Sequence, residues 1–275
     1  MKHLEATLAH AVVVLATMFA LYPLLWVVGL AFSPGGLSSD AGLWPLPAAP
    51  SAANLHTLVD GNVHFWRQLA NSLVVSFATA TAAILLALPA AYALARFSFL
   101  GAKAGLRAML WTQMFPGVAS AVPLYVILDR LHLLDSRGGL VLVYATTAIP
   151  FALLQLKGTF ETIPIELEEA AWVDGASRLR TFLTIVLPAA RPAIAVTFLF
   201  AFMSAWNEFI LAATLLSRES AFTLPVVLQR FVGEHAAQWG VFAAGALVVS
   251  IPVVALFYVA QKSLVAGLTA GGVKG

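Results

Sequence analysis

The sequence predicts an all-α membrane protein with about six transmembrane helices. Of its 275 residues, 61% are hydrophobic and only 10% are charged, whereas a soluble domain usually carries about 25% charged residues. Six stretches are apolar over the roughly 20 residues that a helix needs to cross the hydrocarbon core. They cover residues 8–32, 69–95, 106–128, 138–157, 192–216 and 239–263. No change in composition separates a second domain, so the sequence predicts one membrane domain, residues 1–275.

The first apolar stretch is predicted to be a retained transmembrane helix. Its apolar run from Ala11 to Phe32 is longer than the roughly 7–15 residues of a signal-peptide core. Several stretches contain proline, because neighbouring helices in a membrane bundle can satisfy the carbonyl groups that a proline leaves unbonded. The third stretch combines Pro116, Gly117 and Pro123 and is the candidate for a functional break.

The distribution of basic residues predicts the orientation of the chain. The two termini and the connections 96–107 and 157–191 carry ten of the 15 Lys and Arg residues, and the other connections carry five. Basic loops are retained in the cytoplasm during insertion. We therefore expect both termini in the cytoplasm, and the loops 33–68, 129–137 and 217–238 on the outer face.

The sequence lacks the motifs of several other functions. It has no G-x-x-x-x-G-K-[ST] run, whose backbone amides would hold a triphosphate. Without cysteine it can form neither a disulfide framework nor a thiolate metal site, and its histidines show no H-x-x-x-H pair for zinc. The net charge of +2 gives no indication of nucleic-acid binding. Glu208 alone does not make a proton relay, so uphill transport would take its energy from a partner.

Residues 158–191 predict a short helix–turn–helix on the cytoplasmic face. Pro164 suits the first turn of a helix, where its missing amide is no loss. Gly175 can adopt the left-handed conformation that ends a helix. Ser177 can cap a second helix, which runs from 178 to 187 and which Pro188 ends or bends.

The first of these helices has the character of a docking element. Glu166, Glu168 and Glu169 lie in its early turns, where carboxylates interact favourably with the helix dipole. Ala170 and Ala171 allow a partner backbone to approach closely. The alternative is an amphipathic helix on the lipid surface, but anionic headgroups would repel the glutamates, which favours docking to a protein.

The spacing in this segment resembles that of a known transporter family. The run Glu169-Ala170-Ala171 is followed by three residues, Gly175, nine residues, Ile185, one residue and Leu187-Pro188. This spacing matches the EAA motif of ABC importer permeases. The surrounding runs Asn71-Ser72, 91–97, 113–116 and Asp174-Gly175-Ala176, with the tail 267–275, resemble the carbohydrate-uptake permeases, and most closely the MalG (maltose) type. The resemblance covers nearly the whole chain.

The resemblance implies a non-enzymatic sugar permease subunit in the cytoplasmic (inner) membrane, without a cofactor of its own. It implies as partners a second permease of the MalF type, two copies of an ATPase subunit that bind ATP and Mg, and an extracytoplasmic sugar-binding protein, besides membrane lipid. It implies that the first EAA helix docks in a cleft of the ATPase and that the C-terminal tail reaches the ATPases. The coupling residues implied are Glu169, Ala170, Ala171, Asp174, Gly175, Ile185, Leu187 and Pro188.

The fifth stretch contains candidate residues for a sugar path. Its aromatic residues share one helix face because they lie three or four positions apart; they are Phe198, Phe202, Trp206 and Phe209. Aromatic rings can stack on sugars, and the neighbouring Asn207 and Glu208 can bind hydroxyl groups. Alternatively, the stripe packs against lipid or a partner helix and Glu208 bonds a neighbouring helix. The run Trp206-Asn207-Glu208 is widespread among sugar permeases, but the enterobacterial maltose protein differs there, so the exact sugar stays open.

Other functions stay open at this point. They are a permease for a non-sugar solute such as glycerol phosphate or a polyol, an intramembrane enzyme, and a passive channel. An enzyme would need a nucleophile–base pair within the spans, which the sequence does not show, and a channel would not need the docking segment. We also expect the loop 217–238 to contact the sugar-binding protein; the alternative is an ordinary solvated loop.

Overall fold

A computed structural model describes residues 2–34, 44–114, 117–233 and 237–272, and in these ranges the chain forms helices and no strand. The α-helices are α1 (Lys2–Ala31), α2 (Ala53–Asp60), α3 (Phe65–Arg96), α4 (Ala102–Met114), α5 (Ala121–Arg130), α6 (Arg137–Thr162), α7 (Glu166–Val173), α8 (Arg178–Thr181), α9 (Leu187–Ala189), α10 (Arg191–Trp206), α11 (Ile210–Leu215), α12 (Leu224–Gln229) and α13 (Trp239–Gly272). The all-α prediction is confirmed.

Four helices are long and apolar enough to cross a membrane, namely α1, α3, α6 and α13. Two bent pairs of helices raise the number to six if each pair is one span. The first pair joins α4 to Gly117–Arg130 at 97°, and the second joins Arg178–Ala189 to α10 at 75°. The prediction of about six spans is confirmed. Of the three residues of the predicted break in the third stretch, Gly117 begins the second part of the first pair and Pro123 lies within α5. Pro116 lies outside the described residues, and the functional break stays a prediction.

The fifth predicted stretch, 192–216, is not one continuous helix. The helix α10 ends at Trp206, and α11 begins at Ile210. Between them the Glu208 carboxylate accepts hydrogen bonds from the backbone amides of α11. A side chain that satisfies these amides allows a new helix to begin, so this stretch is divided although it is apolar throughout.

One of two compact units comprises residues 1–66 and 226–252. Its core is formed by Ala31, Ala243 and Ala244, whose small side chains let the helices approach closely. The Asn54 side-chain amide of α2 donates to the carbonyl oxygens of Ala31 and Ser33, each at 3.0 Å. These bonds satisfy carbonyl groups at the end of α1 that have no partner within the helix.

The second unit comprises residues 67–225 and 253–275. Its centre is the packing of α6 against α10, where the largest fully buried side chains of these two helices include Tyr144, Phe160, Phe202 and Trp206. At the start of α6 the Ser136 hydroxyl accepts from the Gly139 amide at 3.0 Å, which is an ordinary N-cap. The prediction of one membrane domain over residues 1–275 stays a prediction.

Candidate functional site

The first EAA helix, α7, ends in a turn that requires glycine. The Ala176 amide donates to the Ala171 carbonyl at 2.9 Å, and the Gly175 amide donates to the Trp172 carbonyl at 3.0 Å. This pair of bonds is the Schellman motif. Gly175 has a φ of +84°, as predicted, and an added Cβ would meet no atom within 4 Å. The backbone conformation, and not crowding, therefore accounts for the glycine.

The second EAA helix is less regular than predicted. Ser177 caps it, because its hydroxyl accepts from the Arg180 amide at 3.3 Å. The predicted helix from 178 to 187 is then interrupted by a π-turn at Phe182–Val186. Pro188 has no amide hydrogen to donate to the preceding turn. The missing hydrogen bond is consistent with the wider π-turn that precedes this proline. The chain bends after Pro188, as the sequence predicted.

One face of α7 is held inside the subunit by a buried carboxylate. Glu168 has no exposed surface. Its carboxylate accepts from the Tyr92 hydroxyl at 2.5 Å and from Arg96 Nε at 2.6 Å. The Arg96 guanidinium also donates to the Ile163 carbonyl at 2.8 Å. A buried charge is stable only when it is paired in this way.

The second EAA helix is attached beside this ion pair. The Arg178 guanidinium lies 5.2 Å from the ring centre of Phe97 and 5.5 Å from that of Trp172, which is within the range of cation–π attraction. Tyr92 packs against Phe182 with ring centres 4.6 Å apart. Both EAA helices are therefore fixed to the end of α3 by polar and aromatic contacts.

The opposite face of α7 is open. Among the eight predicted coupling residues, Glu169, Ala170, Asp174 and Gly175 are exposed, whereas Ala171, Ile185, Leu187 and Pro188 are half-buried. Apolar side chains are exposed here too: Val173 is 88% exposed and Leu179 is 67% exposed. Exposed apolar residues beside exposed carboxylates are typical of a protein-interaction surface.

Sequence reasoning missed the role of Glu168. It grouped this residue with Glu166 and Glu169 as three acids near a helix N-terminus. Nothing in the sequence of this helix shows which of the three is buried. The available signal was the pair Tyr92 and Arg96, four residues apart and thus on one face at the end of α3. Their polar groups need a partner when the helix packs, and Glu168 supplies it.

A second polar cluster lies at the other end of α3. Gln68, Asn71 and Ser72 are each at most 2% exposed, and they hold the segment 219–224. Gln68 Nε2 donates to the Glu219 carbonyl at 2.9 Å, and the Ser72 hydroxyl accepts from the Leu224 amide at 2.7 Å. Asn71 Nδ2 donates to the carbonyls of Ser220 and Phe222, each at 3.0 Å. Its Oδ1 accepts from Arg137 Nε at 2.8 Å.

The same segment is fixed further by Asp135. The carboxylate accepts from the amides of Ser217 at 2.6 Å and Arg218 at 3.0 Å. Partial burial acts to raise the pKa of Asp135, but these amides and the Arg218 guanidinium outweigh it and lower the pKa below its usual value of 3.8. Asp135 has a φ of +52°, a conformation that Asp tolerates better than most residues.

The aromatic candidates for the sugar path are packed inside the subunit. Phe202 and Trp206 are 0% and 1% exposed, and their rings stack with centres 5.5 Å apart. Phe77 of α3 lies 5.0 Å from Phe202 and 6.1 Å from Phe198. The aromatic stripe therefore contacts α3 in this structure, whereas Asn207 is exposed.

Glu208 lies at the break between α10 and α11. Its carboxylate accepts from the Tyr144 hydroxyl of α6 at 2.8 Å and from the amides of Leu211 at 2.9 Å and Ala212 at 3.0 Å. These contacts join the break to a neighbouring helix. The assignment of the sugar path to Phe202, Trp206, Asn207 and Glu208 stays a prediction. Within the described ranges, no group of three or more His, Asp or Glu side chains could hold a metal ion.

Comparison with known proteins gives the class to which these apolar helices and the EAA segment belong. Residues 83–269 match the family described as binding-protein-dependent transport system inner membrane component. The chain belongs to this family and is a multi-pass inner-membrane protein.

Curated relatives match over most of the chain. The galactooligosaccharides transport system permease protein GanQ of Bacillus subtilis (strain 168) is 34% identical, covering 100% of this chain and 97% of its own. The maltose/maltodextrin transport system permease protein MalG of Yersinia pestis is 36% identical, covering 93% and 89%. The identity extends over both ends of the chain, so the similarity is not confined to the EAA motif.

A solved structure confirms the fold. A chain of a bacterial ABC transporter involved in the import of the acidic polysaccharide alginate superposes with a TM-score of 0.78, covering 96% of this chain and 97% of its own. The sequence identity is 23%, so this likeness concerns the fold alone.

Proposed function

We propose that this permease translocates a sugar across the cytoplasmic membrane with energy from ATP that partner subunits hydrolyse. The observation that carries the proposal is the EAA helix α7, which is fixed to the subunit by Glu168 on one face and leaves Glu169, Ala170 and Val173 exposed on the other. The carbohydrate class is supported by the relatives, whose names state galactooligosaccharides and maltose or maltodextrin.

The exposed face of α7 suits docking to a separate ATPase. Glu169 can accept a charge-assisted hydrogen bond from an arginine of the partner. Covering an exposed residue such as Val173 contributes about 1.5 kcal/mol or more, and Ala170 allows the partner to approach closely. The ATPase homodimer would bind ATP and Mg, because this chain lacks a phosphate-loop motif. A second permease of the MalF type and an extracytoplasmic sugar-binding protein complete the proposed importer.

The docking proposal is tested by co-purifying the complex with variants of α7. We expect Glu169→Ala and Gly175→Leu to insert at normal levels but to lose the ATPase or ATP-driven uptake. Leucine at Gly175 would need a positive φ, which costs about 1 kcal/mol or more, and it would project into the docking surface. Permease abundance, ATPase co-purification and uptake are measured on the same variants.

A matched control separates docking from backbone strain. Gly101 also has a positive φ, +93°, and an added Cβ there meets no atom within 4 Å. Gly101→Leu therefore introduces similar strain outside the EAA helices and should keep the ATPase. Normal association and uptake in both Glu169→Ala and Gly175→Leu would contradict the docking role, and so would an equal loss in the control.

The sugar is tested separately with the cognate extracytoplasmic binding protein. Binding is measured against galactooligosaccharides, maltodextrins, glycerol phosphate and polyols. We expect a carbohydrate to bind and to stimulate uptake in cells that contain the permease. A binding protein that takes only glycerol phosphate or a polyol would contradict the sugar class and would leave the docking proposal intact.

A further inference from the structure

A buried ion pair joins the EAA helix to the end of a long span. We propose that Glu168, Arg96 and Tyr92 form a clamp that makes α7 and the end of α3 move as one body during transport. We assign these three as positioning residues, because they would act through the exposed face of α7. The inference rests on the proposed function, because it assigns a path to the force that the ATPase would apply to α7.

The geometry fixes position and orientation together. The two oxygens of the Glu168 carboxylate take different partners, since Oε2 accepts from Tyr92 and Oε1 from Arg96. Arg96 uses a second nitrogen to bind the Ile163 carbonyl, just before α7. Both side chains of the ion pair are shielded, with 10% of Arg96 and none of Glu168 exposed. Water therefore has little access to these bonds.

A contact made only for stability would not need this chemistry. Replacing a buried ion pair by well-packed apolar residues is often neutral or stabilising, whereas buried polar groups can specify one arrangement among several. Glu168 and Glu169 are neighbours that point about 100° apart around α7; the first is buried against the subunit, and the second is exposed. A force that the ATPase applies to the exposed face of α7 would therefore be transmitted to α3 through the clamp.

Helix α3, to which this force would be transmitted, is fixed by side-chain contacts at both ends. It runs without interruption from Phe65 to Arg96, and the buried Asn71 and Ser72 near its start hold the segment 219–224. From Ser72 to Arg96 the helix rises about 36 Å, which is enough to cross the hydrocarbon core. A clamp at Arg96 would thus connect the EAA helix to a segment near the opposite membrane face.

The first test separates transmission from docking. Glu168→Gln and Tyr92→Phe keep the side-chain shapes but weaken the clamp, and the exposed face of α7 is unchanged. In the reconstituted complex with its ATPase and binding protein, we expect normal co-purification and continued ATP hydrolysis. Solute uptake per ATP should fall by about fivefold or more, the low end of typical coupling between two sites.

A neighbouring ion pair gives the matched control. Lys157 and Glu161 pair at 2.5 Å within the single helix α6, so their bond cannot join two elements. Glu161→Gln should leave uptake per ATP unchanged. If Glu168→Gln and Tyr92→Phe also show the wild-type ratio, or only lower permease abundance at an unchanged ratio, the clamp is overturned.

A covalent replacement tests the clamp from the other direction. The chain contains no cysteine, so Arg96→Cys/Glu168→Cys introduces the only thiols of the subunit. With both thiols free, uptake per ATP should be low; after a short bifunctional thiol reagent has joined them, it should rise again. A ratio that stays low once the link is verified by mass would overturn the clamp. Failure of the wild-type permease to retain an ATPase would instead contradict the proposed function.

Discussion

At the scale of single residues, Glu208 shows how one side chain shapes a span. Its carboxylate lies at the N-terminus of α11, where it satisfies two backbone amides and complements the positive end of the helix dipole. It also accepts from Tyr144 of the neighbouring helix. Such bonds are expected for an acid at membrane depth, where an unpaired charge is costly. Asn207 next to it is exposed and is the better placed of the two to bind a solute.

This difference predicts opposite outcomes for two adjacent substitutions. Asn207→Ala should leave the permease at its normal level and lower uptake by raising the KM, because a hydrogen bond to the sugar is lost. Glu208→Ala should lower permease abundance, because two amides and a hydroxyl lose their acceptor at a cost of about 1–3 kcal/mol. Immunoblots of membranes and uptake kinetics check both. Unchanged uptake in Asn207→Ala would remove this residue from the path.

The contribution of Asp135 to the stability of the protein depends partly on its backbone conformation. Asp135→Ala loses the acceptor for the Ser217 and Arg218 amides and places alanine at a φ of +52°. We expect a loss of about 2 kcal/mol, of which about 1 comes from the left-handed backbone. Asp135→Asn keeps an acceptor and tolerates this conformation but loses the charge, so its stability should lie between those of wild type and Asp135→Ala at neutral pH. Thermal unfolding of the purified complex measures both.

The acid response of Asp135 follows from the direction of its pKa. Because the folded state lowers the pKa of this carboxyl, the charged form contributes stability at pH values above its ordinary value of 3.8 and loses that contribution as the pH falls through the folded value. The advantage of wild type over Asp135→Asn should therefore shrink below pH 3.8. An advantage that is constant with pH would contradict the role of the charge.

At the scale of elements, the EAA segment shows what a sequence can specify locally. The stop at Gly175 and the cap at Ser177 were predictable, because each depends on one residue and its own backbone. The π-turn at Phe182–Val186 and the burial of Glu168 were not, because they depend on what packs against the segment. Three glutamates within four positions look alike until α3 places Tyr92 and Arg96 beside one of them.

The polar cluster at the start of α3 makes the segment 219–224 depend on a distant helix. Asn71 is 1% exposed. Asn71→Ala would remove the hydrogen-bond partner of the Ser220 and Phe222 carbonyls and of Arg137 Nε. We expect a loss of about 2 kcal/mol in the stability of the complex. Thr214→Ala is the control, since its hydroxyl bonds only to Ile210 of its own helix. Equal unfolding temperatures for the two variants would refute the anchoring role.

At the scale of the whole molecule, hydropathy predicted the number of spans because bilayer thickness sets their length. It did not predict where a span is divided, since the division at 207–209 arises from Glu208 and its partners and not from a loss of apolar character. Nor could it show that the aromatic stripe of α10 meets Phe77, because a stripe facing a helix and one facing a solute have the same period.

The orientation of the chain leads to a labelling prediction. Residues 96–107, from the end of α3 into the start of α4, carry Arg96, Lys103 and Arg107 without an acid, and such basic segments stay in the cytoplasm. Because the chain has no cysteine, single substitutions at exposed positions report their side directly. An impermeant maleimide should label Gln229→Cys in right-side-out vesicles, but Ser98→Cys only after permeabilisation. The reverse pattern would overturn the orientation.

The same cysteine at Gln229 tests whether the outer loop 217–238 contacts the binding protein. Gln229 is exposed and ends α12, so a probe at this position is accessible to a partner. A photoactivatable cross-linker on Gln229→Cys should therefore capture the sugar-loaded binding protein. Val63→Cys is the control, because Val63 is 94% exposed in a different predicted outer loop and should be labelled without cross-linking. Capture from both positions would show non-specific proximity, and correct labelling without capture from Gln229 would refute the loop contact while leaving the orientation intact.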